Sequence, residues 1–272
     1  MKVLLTNDDG ITATGLNTMR RALLELPGVE LAVIAPDSNR SATARSITTR
    51  EPLWVEEVDF GDDTSGFATD GTPVDCVRFA WLGLLEFEPE LIVSGINHGS
   101  NLGDDITYSG TVAAAFEGIV LGIPSIAVSQ QADHGEFDFR AGNAWNREDF
   151  EGVAAFVARL VEQLEHVPMP EGTLLNVNSP AGGATGVRAC RLGKRIYHDR
   201  MELTEEEDGR RRYRIYGDMP GYHHQDDTDF AAIADGLIAV TPLHFDLTDQ
   251  AGVEELAGFE LDRLLRPAAR EV

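Results

Sequence analysis

The residues of this chain that could do chemistry stand where short aliphatic runs end. Lys2-Val3-Leu4-Leu5-Thr6 empties into Asn7-Asp8-Asp9-Gly10, which sets two carboxylates side by side. Val29 to Pro36 runs into the polar loop Asp37 to Ala44, rich in hydroxyls and containing Ser41. Glu90 to Ile96 ends at Asn97 and a long loop dense in Gly, Asn and Asp, and Ser109-Gly110-Thr111 then opens a helix of small residues. Asp8, Asp9, Ser41 and Asn97 are oxygen donors without His or Cys, a set that suits a hard divalent cation such as Mg²⁺, Mn²⁺ or Ca²⁺. The helix start at Ser109, Gly110 and Thr111 suits an anion, because free backbone N–H groups and the helix dipole point at it. A hard cation beside an anion pocket implies a phosphoryl substrate, with metal-assisted hydrolysis the simplest reaction.

Each piece also has an ordinary explanation. Asn, Asp and Gly make turns, loop serines bond their own backbone, and Ser109 or Thr111 can simply cap a helix. His98 stands next to Asn97 and is one candidate proton donor to a leaving group, a water held by the cation being the other. Asp104-Asp105 is read as capping and bracing its loop rather than as a second metal pair. It is the recurrence of polar clusters at successive strand ends that favours a site, since α/β sheets bind ligands beyond the carboxyl ends of their strands.

The elements that must position these groups alternate strand and helix. A buried strand, an acidic turn and a helix from Leu16 to Leu26 form the first unit of an α/β sheet. Further strands are expected at Val29–Pro36, Glu90–Ile96, Pro124–Ser129, Leu174–Asn178 and Leu237–Thr241, with a weaker edge strand or hairpin in Ser46–Val58 and a short one at Phe67–Thr69. Gly71 to about Leu85 reads as a helix with Thr72 as N-cap, Pro73 at its first position and Asp75 in its first turn. Phe150 to His166 is amphipathic, and Gly252 to Leu265 is a closing amphipathic helix. Between them, Val187 to Tyr222 reads as a projecting β-hairpin, with strands near Arg188–Leu192 and Arg211–Tyr216 on either side of an acidic turn at Glu205–Gly209.

Composition narrows the classes. The 272 residues suffice for a full core, with 43% hydrophobic residues and two cysteines, Cys76 and Cys190. Two are too few for a disulfide framework or a thiolate zinc site. No apolar run reaches the roughly 18 residues of a membrane span, and the chain enters a strand without a signal-like segment; the expectation is a cytoplasmic protein. The formal charge of −24 is spread along the chain, and the only lysines are Lys2 and Lys194. Distributed acid with almost no lysine reads as adaptation to high salt, where self-repulsion is screened. It counts against a nucleic acid polymer as partner, which needs a basic footprint.

TNDDG at the start, APDSNRS at Ala35–Ser41, GTPVDCV at Gly71–Val77, VSGINHGSNLGDDITYSGTVAAAFEG at Val93–Gly118 and TDFAAIADGLIAVTPLHFDLT at Thr228–Thr248 together resemble the SurE family. The likeness runs through nearly the whole chain in order and is weakest in the hairpin region. It implies a metal-dependent phosphohydrolase acting on nucleoside 5′- and 3′-monophosphates, some members also cleaving polyphosphate. It implies one Mg²⁺ or Mn²⁺ per subunit, with ligands at Asp8, Asp9, Ser41 and Asn97, a phosphate segment at Ser109, Gly110 and Thr111, and Asp8, Asp9 and Asn97 as catalytic residues. The implied fold is a Rossmann-like α/β/α core over residues 1–186, an arm over 187–222 and a returning strand and helix over 223–272. The arm would be exchanged in a homodimer or homotetramer, burying Tyr197, Ile215 and Tyr216. Two departures stand out: Ala42 replaces a usual Gly, and Asp227 adds charge before Thr228-Asp229. Two other readings are open, a non-catalytic nucleotide sensor and a metal-dependent amide hydrolase. The latter needs His ligands for a borderline metal, and no His adjoins Asp8-Asp9 in sequence.

Overall fold

In the computed structural model, which describes residues 1–132, 145–215, 220–259 and 261–265, the aliphatic runs become the centre of one large sheet. In chain order the strands are β1 (Lys2–Thr6), β2 (Glu30–Pro36), β3 (Val55–Asp59), β4 (Ser65–Thr69), β5 (Leu91–His98), β6 (Ser125–Gln130), β7 (Thr173–Ser179), β8 (Gly186–Ala189), β9 (Arg195–Ile196), β10 (Glu202–Glu207), β11 (Arg210–Arg214), β12 (Gly221–Tyr222) and β13 (Leu237–His244). The helices are α1 (Thr14–Leu24), α2 (Pro73–Phe79), α3 (Gly110–Val120), α4 (Glu148–Glu162), α5 (Asp229–Ala234) and α6 (Gln250–Ala257). Nine strands form the main sheet in the order β3-β4-β2-β1-β5-β6-β7-β13-β8. From β4 to β7 neighbours are parallel; β3 at one edge and β13 against β7 are antiparallel.

Side-chain alternation explains the layers. Val3 and Leu5 point to one face of β1, where α1 and α4 cover them through Leu16, Met19, Phe150 and Val157. Leu4 points to the other face, against Cys76 and Val77 of α2 and Ala114 of α3. A strand buried on both faces has no polar alternation, which is why these runs are continuously aliphatic. The chain leaves β1 for β2 and β4 on one side, then crosses to β5 on the other. The order therefore reverses between β1 and β5, and the crevice beyond their carboxyl ends is where such sheets bind ligands.

Several expectations need correcting. The Ser46–Val58 segment does supply an edge strand, antiparallel to β4, but it is confined to Val55–Asp59; residues 46–54 are a loop. Its Thr48 donates from its N–H (3.0 Å) and hydroxyl (2.8 Å) to Asp75, so a side chain satisfies that backbone in place of a neighbouring strand. Thr72 does cap α2 in a reciprocal box with Asp75, behind Pro73, but α2 ends at Phe79 and passes into a wider turn, Ala80–Leu84, containing Gly83 at φ 99°. The closing helix is two pieces, α6 and a 3₁₀ turn at Leu261–Leu265; Glu260 of the expected helix lies outside the described residues.

The hairpin is built from different residues than expected. Arg188 lies in β8, which pairs parallel with β13 in the main sheet. The projecting ribbon is β10 with β11, and of the expected acidic turn Glu205–Gly209 the three glutamates belong to the first strand. Glu205, Glu206 and Glu207 stand opposite Arg212, Arg211 and Arg210, so opposite charges compensate across the ribbon. The turn is only Asp208-Gly209, both at positive φ (49° and 74°), the two-residue geometry that follows the strands' twist. Of the expected strand Arg211–Tyr216, Tyr216 lies outside the described residues.

Candidate active site

The carboxylates occupy the switch point. Asn7 closes the turn after β1, its side-chain amide donating to Gly10 O (3.0 Å) and its Oδ1 accepting Gly10 N–H (3.2 Å). That turn tucks Asp8 inward at 3% exposure. The Thr111 hydroxyl donates to Asp8 Oδ1 in a short hydrogen bond. Gly110 lies so close that a Cβ there would stand 2.8 Å from Asp8 Oδ2, so the tip of α3 and the first carboxylate meet without room for a side chain. Asp9 accepts the His98 backbone N–H at Oδ2 (3.0 Å) and the Asn39 amide at Oδ1 (3.3 Å). Burial holds both carboxyls above the usual carboxylate range, and at Asp8 the neighbouring Asp9 charge pushes the same way.

The predicted residues differ in what they do. Asn97 is the last residue but one of β5, next to the His98 whose backbone N–H meets Asp9, and its amide nitrogen donates to Gly99 O (2.7 Å), which commits the nitrogen and leaves the carbonyl oxygen as the donor atom for a ligand. Ser41 is exposed; its backbone N–H donates to Asn39 Oδ1 (2.8 Å), and no contact joins its hydroxyl to either carboxylate. Asn39 is thus the link between Asp9 and the Ser41 segment, a residue the sequence reading passed over although it stands two places before Ser41. The loop is also fastened by Arg40 N–H to Asp8 O (2.7 Å). Ala42, where the resemblance implied a Gly, takes φ 59°, and Ala44 takes φ 54°. The backbone shape asked for by a glycine is kept by alanines, at about 1 kcal/mol of strain each.

Ser109 and Thr111 divide their work. The Ser109 hydroxyl accepts Val112 N–H (3.0 Å) and caps α3, while the Thr111 hydroxyl is spent on Asp8. The first helical N–H groups, of Gly110 and Thr111, have no acceptor within the helix; that of Thr111 is turned to the Asp8 carboxylate. An anion there would be bound by backbone, with the two hydroxyls holding the frame.

His98 is committed as well. Its Nε2 accepts the Gly15 backbone N–H (3.2 Å), and burial pushes its pKa down to about 4. A neutral ring that accepts at Nε2 carries its proton on Nδ1, 3.9 Å from Asp9 Oδ1. The ring packs on Trp145 and Phe150, centroids 5.2 and 5.0 Å away, and those two rings pack on each other. This is a wall residue with a fixed tautomer, not a proton donor free to follow a leaving group. Beyond Trp145 lies a cavity of about 760 Å³ bordered by Gln130, Arg159 and Ser179, which contains none of the predicted site residues.

Asp104 and Asp105 brace the loop, against the segment that leads to the ribbon. Asp105 takes Arg195 Nε (2.8 Å) and the Tyr197 hydroxyl (2.8 Å), and Asp104 accepts Arg195 N–H (2.9 Å). Asp229, fully buried, accepts the N–H groups of Gly103, Gly193 and Phe230 and ties the same loop to α5. The extra charge of Asp227 is met by Arg191 (2.7 and 2.9 Å) on the surface.

A hard cation fits this donor set. Among the described residues neither Asp8 nor Asp9 pairs with Lys or Arg, so two adjacent acids held out of water have no basic side chain there to offset them. No three His, Cys, Asp or Glu side chains among the described residues converge on one point; the donors here are two carboxylates with amide and hydroxyl oxygens near by.

The family model described as Survival protein SurE matches residues 3–199. The chain belongs to the SurE family. A Rubrobacter xylanophilus protein named 5′-nucleotidase SurE is 48% identical over 275 residues, covering 97% of this chain and 99% of the relative. A Chloroflexus aggregans protein of the same name is 43% identical over 264 residues, covering 96% and 99%. The crystal structure of SurE protein from Aquifex aeolicus superposes with a TM-score of 0.78 at 38% identity, covering 96% of this chain and all of that one. The Asp8-Asp9 turn, the Asn97 loop and the tip of α3 all fall within the span of the SurE match.

Proposed function

We propose that this chain is a metal-dependent 5′-nucleotidase that hydrolyses nucleoside monophosphates to nucleoside and phosphate. The observation that carries the reading is the Asp8-Asp9 pair, out of water, without a Lys or Arg partner among the described residues, and packed against the tip of α3 at Gly110 and Thr111. Asp8, Asp9, Asn97 and Ser41 would hold one Mg²⁺ or Mn²⁺ per subunit. Such a cation, when bound, offsets charge on the phosphoryl oxygens and makes water a better nucleophile. The amides at the tip of α3 would bind the phosphoryl oxygens and gain strength as negative charge develops on them, the Thr111 N–H being shared with Asp8. An Asp8 or Asp9 carboxylate accepts the proton of the attacking water, and the Thr111 hydroxyl keeps Asp8 turned toward it. No Ser, Cys or His nucleophile is needed. The amide-hydrolase alternative is not favoured: folding brings His98 to Asp9, but its Nε2 is taken by Gly15 N–H and its Nδ1 stands 3.9 Å from Asp9 Oδ1, and among the described residues no second His joins it in the hydrogen bonds around Asp8 and Asp9.

Phosphate release from nucleoside 5′- and 3′-monophosphates and from polyphosphate, with Mg²⁺, Mn²⁺ or Co²⁺, tests the reading. Metal binding without release from any substrate would make the chain a nucleotide sensor instead. The same assay run across salt concentrations checks the charge: we expect the melting temperature to fall in dilute buffer before substrate choice changes, because the repulsion is spread over the surface. An unchanged melting temperature would remove the case for salt adaptation. No helix among the described residues is long and apolar enough to cross a membrane.

We infer further that residues 1–186 act as the catalytic core and that the ribbon serves a homodimer or homotetramer. Every residue of β10 and β11 is exposed and α6 buries none, leaving Leu203, Ile215, Leu256 and Phe259 in water. A two-stranded ribbon is marginal on its own, so exchange with a neighbouring copy supplies its packing surface. Because Arg195 and Tyr197 lead from the Asp105 loop into the ribbon, deletion of residues 200–214 is expected to give smaller species by light scattering. It should also lower kcat/KM by about tenfold, the size of a typical coupling. An oligomer of unchanged size and activity would refute the exchange.

A further inference from the structure

Glu117 is a buried acid that the proposed reaction does not use. It lies two turns beyond Gly110 on the same stripe of α3, with its side chain 1% exposed. One carboxylate oxygen meets Arg45 Nη2 at 2.6 Å and the other meets Arg78 Nη2 at 2.5 Å. Arg78 belongs to α2, so that contact is a strut between helices. Arg45 belongs to the loop that carries Ser41, and its guanidinium lies over the Phe245 ring at 4.7 Å. Phe245 in turn packs edge-on against Phe116 of α3, centroids 5.4 Å apart.

The loop needs such a hold. Ala42 and Ala44, on the ribbon of backbone between Ser41 and Arg45, both take the left-handed conformation that L-residues avoid. A strained backbone persists only where its surroundings over-determine it. The loop is fixed to β1 by Arg40 and to α2 by Ser46 and Thr48. It is fixed to the α3 segment by Ala44 N–H on Tyr108 O (3.1 Å) and by Arg45 on Glu117. The same helix presses its first residues on Asp8. A single rod therefore touches the first carboxylate at its tip and holds the Ser41 loop two turns further on.

We propose that Glu117, acting through Arg45, is a positioning residue that sets the distance between the Ser41 loop and the Asp8-Asp9 pair. The inference rests on the nucleotidase reading for its effect on turnover, and on the loop alone for its effect on dynamics. In the full chain, Arg45→Met is expected to weaken Mn²⁺ binding about tenfold, the scale of groups that orient metal ligands, and to lower kcat with little change in melting temperature. Hydrogen exchange across residues 38–48 should quicken. Glu117→Gln should do the same and also lower the melting temperature, since Arg78 loses its partner. Arg78→Met should lower the melting temperature while Mn²⁺ affinity and loop exchange stay as in the parent. Arg45→Lys, which keeps the charge, should recover part of the affinity. Loop exchange unchanged in Arg45→Met overturns the inference whatever the activity. If the parent chain binds Mn²⁺ and does not turn over nucleotide, the function reading fails while exchange and affinity still decide the clamp.

Discussion

Replacing Asp9 by Asn is expected to lower turnover of a nucleoside monophosphate by more than about a hundredfold, the scale of losing a group placed for the transition state. The fold should stay intact. Asp9 is nearly buried and receives two N–H donors, from His98 and Asn39, yet it stands beside Asp8 with no Lys or Arg between them. Two like charges in a dry site repel and are each poorly solvated, so the pair opposes folding until a cation joins it. Asn keeps the size and the acceptor oxygen and removes one charge. Without added metal, the variant should therefore melt at or above the parent temperature; with saturating Mn²⁺ the parent should gain and the variant should not, because ligand binding to the native state stabilises by mass action. Thermal melts with and without Mn²⁺, beside a phosphate-release assay, give all three results. Near-parental turnover in Asp9→Asn would show that the cation, if one binds, sits elsewhere.

The parts of this arrangement that were legible in the sequence are those written in neighbouring residues. Continuous aliphatic runs mark strands buried on both faces, and polar clusters at their ends mark the carboxyl edge, so Asp8, Asp9, Asn97 and the 109–111 tip could be gathered before any fold was known. The Thr72-Pro73-Asp75 cap is equally local. The ribbon was misread because three glutamates look like a turn when charge is weighed without its partner. Arg210–Arg212 stands across from them only once Asp208-Gly209 folds the chain back, and that dipeptide was the signal to use. What could not be read are roles fixed by register. Whether Thr111 binds phosphate or holds Asp8 depends on a contact 103 residues apart in the chain. The same holds for Gly15, whose amide decides the tautomer of His98 across 83 residues.

Gly15→Ala should be among the most damaging single-methyl additions in the described residues. Gly15 lies in the first turn of α1, and a Cβ built there would stand 2.1 Å from the carbonyl oxygen of Ile96 and 3.2 Å from His98 Nε2. The first neighbour is backbone of a central strand and cannot swing aside, so either α1 withdraws or β5 bends. Overpacking of this kind costs about 3 kcal/mol, which for a chain of this size lowers the melting temperature by roughly 5–10 °C. The displacement falls on the stretch that continues directly into Asn97 and His98, and α1 carries away the N–H that holds the imidazole. Turnover should drop about a hundredfold, as misplacement by an ångström does. Gly152→Ala in α4 is the matched control: its Cβ would meet nothing within 4 Å, and alanine in a helix interior is favoured over glycine by up to about 1 kcal/mol, so it should melt slightly higher and turn over normally. If Gly15→Ala melts with the parent, the close packing of α1 on the end of β5 is not what holds His98 against Asp9.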